Sequence, residues 1–180
     1  MTSSTGRHSS NMSYRVMASY LKFRERFRRP KEFLQQLGIS QGEVVLDHGC
    51  GIGSYSIPAA ELVGPEGMVY ALDIHPLAIE KTEKRAEKRG IKNLKTILSG
   101  LENGLPNAHV DTVLLIDVFT WIEDKPALLK EFHRVLKPSG RLFILIDHAS
   151  PEECKSVVSE AHLFDLVTQE DNLLHYTRRQ

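Results

Sequence analysis

The residues VVLDHGCGIG, numbers 44–53, decide the fold of this chain. They join a run typical of a buried strand, Val44–Asp47, to three glycines at alternate positions, and a helical pattern from Tyr55 to Leu62 follows. The glycines are Gly49, Gly51 and Gly53. Glycine is required where the backbone takes unusual dihedrals or lies against a ligand, and the first turn of a helix offers N–H groups to polar or anionic atoms. The stretch predicts a strand, a ligand-binding loop and a helix.

Strand and helix patterns alternate along the rest of the chain. The other single-strand patterns are Met68–Ile74, Leu94–Leu98, Thr112–Phe119 and Arg141–Asp147, and a final hairpin pattern comprises Phe164–Thr168 and Leu173–Arg178. Helical patterns begin at Pro76, Asp124 and Pro151, where proline and aspartate are typical of a first turn. Such alternation with short connections is typical of a parallel sheet. We expect an α/β fold with a doubly wound, mostly parallel seven-stranded sheet, an antiparallel C-terminal strand pair and helices on both faces.

An acidic residue, Asp73, ends the second strand pattern, 26 residues after Asp47. A carboxylate at this place in an α/β sheet can accept the two hydroxyls of a ribose. Its simpler role is a cap for the helix that begins at Pro76. We favour the ribose role and expect the carboxylate to face a solvent-filled cleft when no ligand is bound.

The glycine spacing differs from the G-x-G-x-x-G fingerprint of dinucleotide-binding proteins. The sixth position is Ser54 when counted from Gly49 and Ser56 when counted from Gly51, so the third glycine is missing in both frames. Asp47, just before the loop, would repel a pyrophosphate and suits a cationic ligand. A nicotinamide or flavin ligand is therefore not favoured.

Three blocks of the sequence resemble the class I S-adenosylmethionine-dependent methyltransferases. They are VLDHGCGIG at residues 45–53, VYALD at residues 69–73 and LLKEFHRVLKPSGRLFIL at residues 128–145. The resemblance covers about residues 38–148, and the tail fits the final helix and antiparallel strand pair of that family. It implies S-adenosylmethionine as the cofactor and methyl transfer as the activity.

The resemblance also implies roles for individual residues. The three loop glycines would let the backbone approach the methionine part of the cofactor, and Asp47 would hold its ammonium, directly or through water. Asp73 would accept the ribose hydroxyls, and Ile74 would lie against the adenine face. Leu101 would meet the adenine edge through its backbone N–H, and Asp117 would face the methionine end and the transferred methyl group.

The chain departs from the family pattern at positions that affect recognition and catalysis. Gly100 stands where the family often has an Asp that reads the adenine amine. Thr120 and Trp121 stand where many small-molecule relatives have a pair of histidines. The catalytic residue is therefore unassigned; the candidates for a general base are Asp117, Glu123 and His148, and each has a simpler role as a helix cap or loop residue. His48 replaces an aliphatic residue, and we expect a strand histidine satisfied by local hydrogen bonds.

Length and composition indicate how many domains the chain forms. The 180 residues, 41% of them hydrophobic, are typical of one globular domain. Residues 1–13 are rich in Ser and Thr and are expected to be disordered. Residues 14–180 are expected to form one methyltransferase domain, with an N-terminal helical cap at 14–38, a cofactor-binding core at 42–148 and a C-terminal helix and hairpin at 149–180.

Several other classes of protein are not favoured. Cys50 and Cys154 lie far apart and form no Cys-x-x-Cys pair, which argues against a disulfide scaffold and a zinc site, so we expect no metal. The N-terminus has no apolar signal segment, and the longest apolar run, Thr112 to Val118, contains an Asp and is too short to cross a bilayer. We expect a cytoplasmic protein with no membrane partner.

The net charge of zero conceals an asymmetry. Residues 1–42 carry eight Lys and Arg against two Glu, whereas the remaining residues carry 15 against 21. Most of the positive charge lies at Lys22, Arg24, Arg26, Arg28, Arg29 and Lys31. A solvated helix face, a lip facing an anion and an RNA-binding arm all fit this segment. We favour the lip over the RNA-binding arm, because no aromatic platform for stacked bases accompanies these residues.

The N-terminal segment is expected to fold over the open end of the sheet and to select the substrate. The candidates for substrate contact are Tyr14, Arg15, Tyr20, Phe23 and Trp121. No insertion provides a substrate domain, so the acceptor is expected to be small, or bound partly by a second subunit in a homodimer. Methyl transfer to a small molecule is the favoured function. The alternatives are a non-catalytic S-adenosylmethionine-binding module and an RNA or protein methyltransferase that uses the basic segment.

Overall fold

The computed structural model of the chain describes residues 28–147 and 150–180. The helices are α1 (Pro30–Gln36), α2 (Ser56–Val63), α3 (Pro76–Lys88), α4 (Lys125–Val135) and α5 (Pro151–Ala161), with a short 3₁₀ helix at Phe119–Trp121. The strands are β1 (Val44–His48), β2 (Met68–Asp73), β3 (Leu94–Leu98), β4 (Val110–Ile116), β5 (Leu136–Leu145), β6 (Phe164–Glu170) and β7 (Leu173–Arg178). The strands form a seven-stranded sheet in the order β3-β2-β1-β4-β5-β7-β6. This confirms the α/β class, the mostly parallel sheet and the antiparallel C-terminal pair.

Two compact units make up the described chain, and the first comprises residues 28–43 and 49–100. In this unit β2 and β3 pair in parallel, from Val69 opposite Leu94 to Asp73 opposite Leu98. Helix α3 buries only a narrow stripe of small side chains at a spacing of four: Ala78, Thr82 and Ala86. Residues four apart share one face of a helix, so this stripe lets the backbone of α3 approach its neighbours closely.

The second unit comprises residues 44–48 and 101–180. Strand β1 pairs in parallel with β4, and β4 pairs in parallel with β5. Strand β7 lies antiparallel between β5 and β6. Helix α4 contributes a fully buried stripe to the core, with Leu128, Phe132 and Val135 among its members.

Strand β4 is shorter than the sequence pattern indicates. The apolar run continues to Phe119, but the strand ends at Ile116. Asp117 has a φ of 60°, a left-handed conformation that Asp tolerates better than most residues and that ends extended pairing. Phe119 begins the 3₁₀ helix instead.

Strand β5 begins at Leu136, five residues before the predicted start at Arg141. Its pairing with β4 shifts between Val110 opposite Leu136 and Thr112 opposite Arg141. Pro138 lies in this irregular stretch, which suits a residue that cannot donate a ladder hydrogen bond. Leu136 therefore lies just after α4, which ends at Val135, and begins the strand.

No helix in the described part of the chain is long and apolar enough to span a membrane. Within residues 28–147 and 150–180, no group of three or more His, Cys, Asp or Glu side chains is arranged to hold a metal ion.

Candidate functional site

The glycine loop connects β1 to α2 through three left-handed residues. Gly49, Gly51 and Gly53 have φ values of 82°, 58° and 76°. Side chains make such dihedrals costly, whereas glycine adopts them freely. The N–H groups of Gly49 and Cys50 both donate to the carbonyl of Leu72, at 2.7 and 2.9 Å. The loop is therefore tied to the end of β2.

Asp73 holds the same loop through its carboxylate. Oδ2 accepts the N–H of Gly51 at 2.9 Å, and Oδ1 accepts the N–H of His75 at 2.8 Å. Burial raises the pKa of Asp73, and the two N–H donors oppose that shift. The expectation that this carboxylate faces a solvent-filled cleft left out these backbone bonds: Asp73 is half-buried and accepts two N–H groups. Nor does Asp73 cap α3, since the N-cap is His75, whose Nδ1 accepts the N–H of Leu77 at 3.2 Å.

Helix α3 holds the carbonyl side of the loop. The Thr82 hydroxyl donates to the carbonyl of Gly51 at 3.3 Å, and Nη1 of Arg85 donates to the carbonyl of Ile52 at 2.7 Å. A Cβ at Gly53 would lie 3.0 Å from both Cγ2 and Oγ1 of Thr82, so the loop and helix are in close contact.

Sequence reasoning missed this function of α3. Arg85 is one of several charged residues of α3, a pattern typical of a solvated helix face. The signal that could have found the contact is the stripe Ala78, Thr82 and Ala86, because small side chains mark a closely approached helix face and Arg85 borders that stripe.

An apolar side chain is exposed beside Asp73. Ile74 is 38% exposed, and a Cβ at Gly100 would lie only 2.9 Å from its Cγ2. The N–H of Ser99 donates to the carbonyl of Asp73 at 3.0 Å, which fixes this approach. Because Gly100 has no side chain, the side chain of Ile74 can lie this close to its backbone.

In the second unit, β1 ends in two buried polar residues. Asp47 and His48 are each 2% exposed. The His48 ring packs edge-on against Phe132 at 5.2 Å between centroids, and burial lowers the pKa of His48 to about 4. Its Nδ1 has no hydrogen-bond partner among the described residues. The expectation of a histidine satisfied by local hydrogen bonds was therefore wrong for this nitrogen.

This buried histidine predicts a stability change in mild acid. The folded pKa lies below the unfolded value of about 6.5, so the unfolded chain binds the proton more readily and stability falls as the pH decreases from 6.5 towards 4. Between pH 7 and pH 5 the free energy of unfolding should fall by about 2 kcal/mol from this group. Urea titrations of wild type and His48→Leu at both pH values measure it.

The leucine variant should lose most of this pH dependence. His162→Asn is the matched control, because His162 is exposed and its φ of 55° suits Asn. Equal pH dependence in wild type and His48→Leu would contradict a neutral buried His48.

The segment that begins at Leu101 is braced by α4. Glu131 forms a two-point ion pair with Arg134, through Nε at 2.8 Å and Nη2 at 2.7 Å. Arg134 also donates to the carbonyl of Leu105 at 2.8 Å, and the Glu131 carboxylate accepts the N–H of Asn103 at 3.3 Å. The Arg134 donor lowers the pKa of Glu131. The charged pair therefore fixes the backbone just after Leu101.

The end of β4 carries the remaining described candidates. The N–H of Asp117 donates to the carbonyl of Leu145 at 2.8 Å. Trp121 closes the 3₁₀ helix and is 75% exposed. Glu123 is exposed, and its neighbour Asp124 caps α4 by accepting the N–H of Ala127 at 2.9 Å.

Several predicted residues lie outside the described part of the chain. These are the substrate candidates Tyr14, Arg15, Tyr20 and Phe23, the base candidate His148 and the basic residues Lys22, Arg24 and Arg26. In the described part of the basic segment, Arg29 pairs with Glu32 at 3.2 Å and Lys31 pairs with Glu61 at 3.1 Å.

Comparison with protein families gives one match that covers most of the chain. Residues 39–178 match the family described as "Methyltransferase domain". Among solved structures, a SAM dependent methyltransferase from Aquifex aeolicus superimposes with a TM-score of 0.73 at 25% sequence identity. That superposition covers 83% of this chain and 88% of the other.

Two similar proteins carry more specific names. Demethylmenaquinone methyltransferase of Geobacillus stearothermophilus is 33% identical over 128 residues, which are 71% of this chain and 55% of that protein. Aklanonic acid methyltransferase DauC of Streptomyces sp. (strain C5) is 36% identical over 102 residues, 56% of this chain and 46% of that protein. The chain thus spans about half the length of these relatives.

Proposed function

Because the chain belongs to the class I S-adenosylmethionine-dependent methyltransferases, we propose that it transfers the cofactor's methyl group to a small-molecule acceptor. S-adenosylmethionine is the cofactor of this domain family. The observation that carries the proposal is the left-handed glycine loop held by Asp73 through the N–H of Gly51.

The residues of the first unit fit this cofactor. A carboxylate has about four lone-pair sites, and the N–H groups of Gly51 and His75 use one on each oxygen of Asp73. Each oxygen can still accept one hydroxyl of a ribose. Ile74, exposed beside Asp73, offers an apolar surface to adenine. The glycine loop lets the backbone approach the methionine part without Cβ atoms in the way.

Three residues of the second unit have roles in the same proposal. Asp47 would hold the ammonium of the cofactor, and Leu101 would offer its N–H to the adenine edge. Asp117 would face the methionine end. The bracing of the Leu101 segment by Glu131 and Arg134 supports a fixed position for that N–H.

The chemistry that the bound cofactor supplies is an electrophilic methyl group on a sulfonium. The main task of the chain is to align the acceptor with it, and orientation of this kind can supply about 7–11 kcal/mol. A general base is needed only when the nucleophile must lose a proton at or before attack. Asp117 and Glu123 are the described candidates, and we propose an acceptor atom that needs little base assistance.

A small acceptor is supported by the names of the relatives. Those relatives are named for demethylmenaquinone and aklanonic acid, but each is about twice the length over which this chain matches. The alternative of an RNA methyltransferase receives less support, because Arg29 and Lys31 of the basic segment pair with carboxylates of the chain itself. A non-catalytic cofactor-binding module, a homodimer and a cytoplasmic location stay predictions.

The test is calorimetric binding followed by turnover. We expect micromolar affinity for S-adenosylmethionine and S-adenosylhomocysteine, negligible affinity for NAD, and release of S-adenosylhomocysteine when a panel of small acceptors is supplied. Cofactor binding without turnover on any acceptor would favour the binding module. Turnover only on RNA, with salt-sensitive binding, would favour the RNA methyltransferase.

Trp121 provides a direct test of where the acceptor binds. It is the only tryptophan of the chain and is exposed, so tryptophan fluorescence reports on the surroundings of this residue alone. We predict that an aromatic acceptor, added after S-adenosylhomocysteine, quenches this fluorescence, and that Trp121→Ala raises the KM for that acceptor about ten-fold, an effect near the 1–3 kcal/mol of base stacking on aromatic side chains. An unchanged spectrum together with an unchanged KM would remove Trp121 from the acceptor site.

A further inference from the structure

We propose that Thr82 and Arg85 are positioning residues for the amino-acid part of S-adenosylmethionine. They fix two consecutive peptide groups of the glycine loop from the side of α3. The inference rests on the proposed function in that it needs the cofactor to bind at this loop. Neither residue belongs to the sequence blocks that carry the family resemblance.

The first peptide group joins Gly51 to Ile52. Its carbonyl accepts the hydroxyl of Thr82 at 3.3 Å, and Thr82 is fully buried. The carbonyl and N–H of a trans peptide point in opposite directions from one plane. Since the carbonyl of Gly51 is held towards Thr82, the N–H of Ile52 is aimed away from that side chain.

The second peptide group joins Ile52 to Gly53. Its carbonyl accepts the guanidinium of Arg85 at 2.7 Å, and its N–H donates to the carbonyl of Cys50 at 2.9 Å. Both ends of this peptide are therefore bonded. Hydrogen bonds from a charged donor are stronger than those between neutral groups, so the Arg85 contact is the firmer of the two.

Such anchors matter because the loop is rich in glycine. Gly51 and Gly53, on either side of Ile52, adopt positive and negative φ at similar cost, so the peptide planes between them are easily rotated. A rotated plane would turn a carbonyl oxygen towards the carboxylate of the ligand, where it would repel the negative charge. Thr82 and Arg85 prevent this rotation and keep the N–H of Ile52 aimed away from α3, where a ligand carboxylate can accept it.

The arrangement also places a positive charge beneath the loop. The Arg85 guanidinium lies at hydrogen-bond distance from the backbone of the loop, and a cation there favours an anionic ligand group nearby. The methionine part of the cofactor has such a group in its carboxylate, whereas adenosine has none. Recognition of the amino-acid part should therefore depend on this pair more strongly than recognition of the nucleoside.

The experiment compares two ligands in paired variants. Affinities for S-adenosylhomocysteine and for adenosine are measured by calorimetry, with competition for the weaker ligand, and each apo protein is melted. Thr82→Val keeps the shape and removes the donor, and Thr82→Ser keeps the hydroxyl. Arg85→Met removes the charge and the donor. Lys84→Met is the control, since it removes an adjacent cation whose partner is the exposed Glu80 on the same helix.

We expect S-adenosylhomocysteine to bind about five-fold more weakly to Thr82→Val and at least about ten-fold more weakly to Arg85→Met, in line with the loss of a neutral and a charged hydrogen bond. Thr82→Ser and Lys84→Met should bind within about two-fold of wild type, and adenosine affinity should change by less than two-fold throughout. The Thr82→Ser variant should therefore keep the affinity for S-adenosylhomocysteine that the Thr82→Val variant loses.

Three outcomes would overturn the inference. Wild-type affinity in both Thr82→Val and Arg85→Met would show that the loop needs neither anchor. An equal loss of adenosine affinity would show a general structural role, as would a loss that follows the apo melting temperature across all variants. If wild type binds neither S-adenosylmethionine nor S-adenosylhomocysteine, the proposed function itself fails, and this result is distinct from those three outcomes.

Discussion

Replacing Asp73 with Ala is expected to lower the stability of the ligand-free protein and its cofactor affinity together. The carboxylate accepts two backbone N–H groups, from Gly51 and His75, and hydrogen bonds to a charged acceptor are worth about 1.5–3 kcal/mol each. Burial of the carboxylate offsets part of this gain. We expect the free energy of unfolding to fall by about 3 kcal/mol and the affinity for S-adenosylhomocysteine to fall at least about ten-fold.

A matched control separates the two effects. Asp111 near the start of β4 is also a half-buried carboxylate that accepts a backbone N–H, from Val44 at 2.9 Å, and it pairs with Lys137 at 2.7 Å. Asp111→Ala should cost stability with little change in cofactor affinity. If Asp73→Ala instead left the melting temperature of the ligand-free protein unchanged, Asp73 would not hold the loop, and the geometry described for Gly51 would be wrong in solution.

The sequence was sufficient for the sheet and for the place of the glycine loop. Apolar runs such as Val44–Asp47 and Thr112–Phe119 are long enough to predict buried parallel strands, and glycines at alternate positions predict left-handed backbone. The predicted strand ends were less accurate, because a strand end depends on the backbone conformation of one or two residues. Asp117 stops β4 through its φ, and the irregular pairing around Pro138 extends β5 backwards.

The contacts that hold the loop were not predictable from the sequence pattern. Asp73 was identified by its place at the end of a strand, but its bond to Gly51 joins residues 22 apart in the chain and needs the folded loop. Arg85 looks like one charge among many on an exposed helix; the stripe of small residues beside it indicates a closely approached face, but it does not identify the carbonyl of Ile52 as the partner. Long-range polar contacts of this kind leave no periodic signal in the sequence.

Replacing Gly53 with Ala is expected to destabilise the protein by about 3 kcal/mol, from left-handed strain and crowding of roughly 1–2 kcal/mol each. Its φ is 76°, and the new Cβ would lie 3.0 Å from two atoms of Thr82 and 3.3 Å from Ile57. Because the loop must move to admit the methyl group, the affinity for S-adenosylhomocysteine should fall as well. Chemical denaturation and calorimetry measure the two effects.

Strain and crowding can be separated with two further variants. Gly90 has a similar φ of 67° but open space around its Cβ position, so Gly90→Ala should cost about 1 kcal/mol and leave cofactor affinity unchanged. Adding Thr82→Ala to Gly53→Ala removes the two atoms nearest to the new Cβ, and the double variant should recover about 1–2 kcal/mol relative to the sum of the single changes. Additive effects of the two single changes would show that Thr82 does not limit the space at Gly53. The close packing of the loop on α3 would then be contradicted, because that packing is what restricts position 53 to glycine beyond the demands of its φ.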